Sequence, residues 1–174
     1  MQRNRRTHRN RTISSVGIVL LAAAMAMVVS CASPAPTAPP TTASPTSTGG
    51  TSDITELVDW SLPPLYGTID LASGFRPDPF LVEVTAGGNR NLRNVGRVGY
   101  VAEAPDFDLN YSSGPYNLYI FVDTQGADTV LIVCDPSGRY FYSDDQIGTR
   151  PGMHFSNPES GLYDIWVGTY GSQT

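Results

Sequence analysis

From Tyr66 to Tyr170 short apolar runs recur every eight to twelve residues, separated by Gly, Pro, Asn and Asp. Phe80, Val82 and Val84 alternate with Leu81, Glu83 and Thr85; Phe107, Leu109 and Tyr111 alternate with Asp108 and Asn110. Leu118, Ile120 and Val122 alternate with Tyr119, Phe121 and Asp123, and Tyr140 and Tyr142 with Arg139, Phe141 and Ser143. Alternation of period two is the pattern of a strand with one face toward a core. Val130–Val133 is apolar at every position, which predicts a central strand covered on both faces. Asp135-Pro-Ser-Gly138 has turn chemistry, with Pro second and Gly fourth. The final block, Gly161-Leu-Tyr-Asp-Ile-Trp-Val-Gly-Thr-Tyr170, reads as a strand against which the others pack. Tyr163, Ile165 and Val167 form its core face; Leu162, Asp164, Trp166 and Tyr170 form a partly exposed face near a sheet edge. No amphipathic helix of useful length occurs. Seven or eight strands are predicted, enough for two packed sheets: an all-β, jelly-roll-like sandwich.

The pattern breaks ahead of this region. Residues 32–52 are Pro, Thr, Ser, Ala and Gly with nothing to bury, so a disordered tether is expected there. Asp53–Leu65 is short and mixed, stopped by Pro63-Pro64, with Trp60 and Leu62 expected to pack onto the domain. The folded unit is therefore 53–174, with its core at about 66–172.

Residues 1–31 are different again. Five arginines precede Thr12, and a run of aliphatic, alanine and methionine residues from Val16 to Val29 follows, interrupted only by Gly17. As a helix this run spans about 21 Å, short of the roughly 30 Å hydrocarbon core. A basic region, a short apolar region and a small-residue end together make a secretory leader. Val28-Val29-Ser30-Cys31 resembles the bacterial lipobox. The resemblance implies diacylglycerol on Cys31, cleavage that leaves Cys31 first, and anchorage to the outer face of a bacterial membrane.

Charge narrows the partners. The chain has no lysine, and after Cys31 six arginines stand against sixteen acidic residues, a net charge of −10. That excludes nucleic acid as a natural partner and makes the lipid the membrane contact, leaving an unidentified protein or glycan as the ligand. With Cys31 lipidated, Cys134 is left without a disulfide partner. Its apolar setting makes it a packing residue.

Three blocks resemble one family, the pre-peptidase C-terminal-like domains of secreted bacterial proteins. They are Pro77–Gly88, Gly99–Tyr111, and Asp128–Tyr170 with its Asp135-Pro-Ser-Gly138, Asp144-Asp145 and Gly161–Tyr170 elements. The resemblance implies a jelly-roll-like β-sandwich, usually non-catalytic, accompanying a peptidase and in some members binding Ca²⁺. The chain departs from it at Arg97-Val98, where relatives have a cysteine, and after Asp144-Asp145, where relatives carry a longer acidic run.

Candidate sites follow. Asp128, Asp144 and Asp145, with Asp135 near them in sequence, offer oxygens to a hard cation such as Ca²⁺; otherwise they are solvated turn residues. Tyr119, Tyr140, Trp166 and Tyr170 offer rings for a sugar or polymer to stack on; otherwise they cover a sheet edge. His154 has no Gly-x-Ser-x-Gly serine to serve, and no insertion builds a hydrolytic cleft. The chain thus reads as a non-catalytic, lipid-anchored binding module. A Ca²⁺-dependent carbohydrate- or wall-binding module is the alternative, and a small hydrolase or peptidase accessory the third.

Overall fold

The structure is a computed structural model that describes residues 53–124, 126–146 and 150–171, together with the backbone of Val16–Leu21. Among the described residues there are strands and two 3₁₀ turns, Ile54–Glu56 and Leu92–Val95, and no α-helix. The strands are β1 (Val16–Leu21), β2 (Thr68–Ala72), β3 (Phe80–Val84), β4 (Arg90–Asn91), β5 (Tyr100–Val101) and β6 (Phe107–Ser112). They continue as β7 (Leu118–Asp123), β8 (Thr129–Cys134), β9 (Tyr140–Ser143), β10 (Gly152–Phe155) and β11 (Gly161–Thr169).

They form two sheets. A four-stranded sheet has the order β10-β7-β1-β3. A seven-stranded sheet follows the path β2-β6-β11-β5-β4, with β8 on the other edge of β11 and β9 beyond β8. Only β2 against β6 is parallel. β11 is the longest strand and the hub: β6 pairs with Gly161–Ile165, β5 with Thr169, and β8 with Asp164–Thr169. The all-β sandwich read from the sequence is therefore the fold. Ten strands rather than seven or eight lie after Asp53, because β4 and β5 are two-residue pieces too short for alternation to mark.

Alternation sets the core. Phe107, Leu109, Tyr111, Leu131, Val133, Tyr163, Ile165 and Val167 face Leu118, Ile120 and Val122 of the other sheet and are buried with them. On β7 the odd positions Tyr119 and Phe121 are half-buried, and on β3 Leu81 is exposed, as period two requires.

The sequence reading needs two corrections. First, the outer face of β11 is covered. Trp166 and Asp164 are buried, Trp166 in a second cluster with Val58, Leu92, Val95, Val101, Val130, Ile132 and Cys134. The cover is residues 53–66 and 92–99, whose Val58, Leu92 and Val95 pack on the outer face of the seven-stranded sheet as a loop layer. On β6 the outer face is buried at Asp108 and exposed at Asn110 and Ser112, so the strand is half-buried over most of its length. Second, Trp60 and Leu62 do not pack down: they are 59% and 36% exposed, and Val58 is the residue that enters the core. Val16–Leu21, within the expected leader, is a strand between β3 and β7.

Candidate functional site

One row of side chains crosses the seven-stranded sheet under the loop layer. Thr68 of β2 is the Cα partner of Asp108 on β6, and Asp108 of Asp164 on β11. Asp164 in turn partners Cys134 on β8, and Cys134 partners Tyr140 on β9. Residues paired directly across strands share a face, so these polar side chains stand side by side. Asp108 and Asp164 are both buried, and Oδ1 of each has no hydrogen-bond partner. Burial, and then the facing Asp108 carboxylate, push the Asp164 carboxyl up to about 7. Burial also raises Asp108, against a hydrogen bond with Asp164 that lowers it. Two adjacent buried carboxylates do not both ionise at moderate pH, so the pair shares one proton.

A third buried acid, Asp106, ends the loop ahead of β6. Its Oδ2 accepts the Val167 N–H at 2.6 Å, standing in for a ladder carbonyl where β6 stops pairing with β11. Burial pushes its carboxyl up to about 7, against that one hydrogen bond. Cys134 is buried, and burial followed by the Asp164 charge raises its thiol to about 11, so it carries no thiolate at neutral pH. Tyr140 is likewise shifted upward by burial.

Above this row the loop layer is held firmly. The Asp59 N–H donates to Glu103 O at 2.8 Å, Leu65 to Pro105 O at 2.9 Å and Tyr66 to Asp106 O at 2.7 Å. Trp166 Nε1 donates to the same Glu103 carbonyl at 3.3 Å. Arg90 and Glu103 form an ion pair at the rim. The layer leaves a cleft of 270 Å³ between Thr55–Trp60, Glu103 and Tyr140. Its polar lining is carboxylates and hydroxyls; Asp108 and Asp164 do not line it. Trp60 belongs to the cleft wall, and Leu65 and Tyr66 follow it in the chain; the three are 59%, 59% and 45% exposed. The Thr85 N–H donates to the Tyr66 hydroxyl at 3.0 Å, which fixes that ring although it faces water.

The residues singled out from the sequence fall in different places. Cys31 lies outside the described residues. The Asp128 carboxyl is raised by desolvation and then by the charges of Asp145 and Asp144. No group of three or more potential ligands among the described residues is arranged to hold a metal ion. Asp135 belongs to its turn: Oδ1 accepts from Ser137 N–H, Ser137 Oγ and Arg139 N–H, and Oδ2 from Arg139 Nε. Burial works against ionisation there, but these donors outweigh it and hold the carboxyl below its ordinary range.

The four rings do not meet. Tyr119 is on the four-stranded sheet, stacked on His154 with centroids 4.3 Å apart. Trp166 is fully buried under the loop layer with Tyr140 6.1 Å away, and Tyr170 is exposed at the end of β11. His154 is exposed on β10, on the sheet opposite Cys134. Sequence reasoning missed the buried acids Asp106, Asp108 and Asp164. Only Asp164 carried a signal: a lone charge inside an otherwise apolar and aromatic strand.

No family model, no curated protein and no solved structure matches the chain. The resemblance to pre-peptidase C-terminal-like domains rests on the residues quoted for it.

Proposed function

We propose that the protein is a non-catalytic, lipid-anchored extracytoplasmic binding module of the pre-peptidase C-terminal-like kind, tethered through Cys31. The observation that carries the binding role is the apolar outcrop of Trp60, Leu65 and Tyr66. Large exposed apolar side chains grouped in one short segment mark an interaction surface. The backbone bonds of residues 59–66 to 103–106 hold that surface in place, so a partner meets it with little ordering cost. The acidic rim of Asp59 and Glu103 favours a partner with basic or hydroxyl groups around an apolar centre. The anchor is supported by the basic, apolar and Val-Val-Ser-Cys31 sequence and by the proline-rich tether behind it.

Two variants test the reading. Cys31→Ser leaves the membrane fraction or stays uncleaved; a variant that is still processed and membrane-bound refutes the anchor. The double variant Trp60→Ala, Leu65→Ala, compared with the unaltered chain in quantitative capture from membranes, loses the specific partner; undiminished capture refutes the outcrop as the binding surface.

The alternative, a Ca²⁺-dependent glycan- or wall-binding module, is supported by one observation, that the charges of Asp145 and Asp144 are felt at the Asp128 carboxyl.

A further inference from the structure

β1 is the one described strand that precedes Cys31, and it sits inside a sheet. Gly17 stands opposite Glu83 and Asp123, Ile18 opposite Val82 and Val122, and Leu20 opposite Phe80 and Ile120. β1 is antiparallel to both neighbours, so β3 and β7 run parallel to each other and share no ladder. Strands in a sheet lie about 4.8 Å apart, which puts β3 and β7 about 10 Å apart, one strand's width. The row beneath is core: Ile120, Val122 and Val84 are buried there.

Cleavage ahead of Cys31 removes β1. The facing edges of β3 and β7 then carry unpaired N–H and C=O groups above an apolar floor, an arrangement that recruits another strand. The tether is no substitute. Residues 32–52 contain Pro34, Pro36, Pro39, Pro40 and Pro45 and no aliphatic side chain larger than alanine. Proline cannot donate to a ladder, so a segment this rich in it cannot take the place of β1. The chain also re-enters the fold at Asp53 on the far side, where Ile54 and Leu57 pack on the second cluster beneath the loop layer.

We infer that the slot between β3 and β7 is a strand-acceptor site for an extended, proline-free aliphatic segment of a partner protein, seated antiparallel in the register of Val16–Leu21. The leader segment is the template for its chemistry: six residues, Val-Gly-Ile-Val-Leu-Leu, with branched aliphatics at the positions that stand between Val82 and Val122 and between Phe80 and Ile120. Two ladders supply affinity and the alternate side chains supply selectivity. This inference rests on the lipoprotein reading, because a retained leader fills the slot in cis.

The test uses the protein extracted from membranes in detergent, with its N-terminal mass measured. The probe is a labelled peptide of residues 15–22 with a solubilising lysine tail, set against the same peptide carrying Val19→Pro. The first peptide binds saturably and slows amide exchange across Phe80–Val84 and Leu118–Asp123 at least about tenfold; the proline peptide does neither. A preparation that still carries its leader overturns the lipoprotein reading and the acceptor site with it. A preparation that starts at lipidated Cys31 and shows no saturable binding, or shows those amides already protected without peptide, overturns the acceptor site alone.

Discussion

Replacing Asp164 with asparagine removes a charge from a place that resists it. Asp164 faces Asp108 across the β6–β11 pair, both are buried, and neither Oδ1 has a partner. The Asp164 carboxyl is lifted from 3.8 to about 7 in the fold. One unit is worth about 1.4 kcal/mol, so the shift corresponds to about 4 kcal/mol for one fully ionised group. Relaxation around an ionised pair reduces this to about 2–4 kcal/mol.

The sign follows from linkage. A carboxyl with a raised native value binds its proton more tightly folded than unfolded. It costs nothing below pH 3.8, where both states are protonated, and its penalty grows from there to about pH 7 and is complete above. The substituted side chain is neutral throughout, and its amide donates to Asp108. Asp164→Asn is therefore more stable than the natural chain at pH 8 by about 2–4 kcal/mol, and within about 0.5 kcal/mol of it at pH 4. At about 4 °C per kcal/mol that is a rise in Tm of roughly 8–15 °C at the higher pH. The measurement is thermal unfolding of both proteins from pH 4 to 8. Asp106, also lifted to about 7, is common to both, so their difference isolates the pair. A variant that is less stable at pH 8, or a difference that does not change with pH, refutes the shared proton.

Three further outcomes are expected. Gly168→Ala destabilises by about 1–3 kcal/mol or more in chemical denaturation, because a Cβ there meets Tyr100 O and Val130 Cγ2 at 2.5 Å. Asp135→Ala costs about 2–4 kcal/mol at pH 7, since it strands the Ser137 and Arg139 donors; the deficit shrinks as pH falls through the native Asp135 value, where the natural chain loses the same bonds. The alternative, Ca²⁺-dependent reading requires that Ca²⁺ at about a hundred times its dissociation constant raise the Tm of the full chain by several degrees, worth about 2.7 kcal/mol, and that Asp145→Ala abolish the rise; identical melts with Ca²⁺ and with chelator refute it.

Periodicity made the inter-sheet core legible. Phe107, Leu109, Tyr111, Leu118, Ile120, Val122, Tyr163, Ile165 and Val167 alternate along their strands and are buried together. The all-apolar run of β8 correctly marked a strand with both faces covered. The same signal existed in weaker form for β11, where Trp166 and Asp164 share the outer face, but a charge beside a ring is equally the mark of a half-wet edge. What covers that face is loop: Val58, Leu92 and Val95 come from segments with no period at all, so nothing local announces that they will pack there. Trp60 was misplaced for the same reason. Within Leu57-Val58-Asp59-Trp60 only one apolar side chain is fully buried once the backbone is tied to Glu103, and the tie selects Val58. The proposed ring platform failed to assemble because Tyr119 and Tyr140 belong to different sheets, a fact of topology and not of spacing.

The loop layer also explains why the buried polar groups lie where they do. Between the two sheets the backbone is committed to ladders and offers few free acceptors, and that core is almost wholly aliphatic and aromatic. A loop has carbonyls to spare. Glu103 O takes the Trp166 indole N–H and Val98 O takes the Tyr142 hydroxyl at 3.0 Å, so these two bulky donors are buried with partners. Carboxylates need donors instead. Asp106 finds one in the Val167 N–H, because β6 leaves that position of β11 unpaired. Asp108 and Asp164 sit opposite each other within the β6–β11 ladder, where a shared proton offsets their mutual repulsion. Acid strengthens this layer and alkali loosens it. The layer that titrates is also the one that presents Trp60, Leu65 and Tyr66, which ties the stability of the proposed binding surface to pH between about 4 and 7.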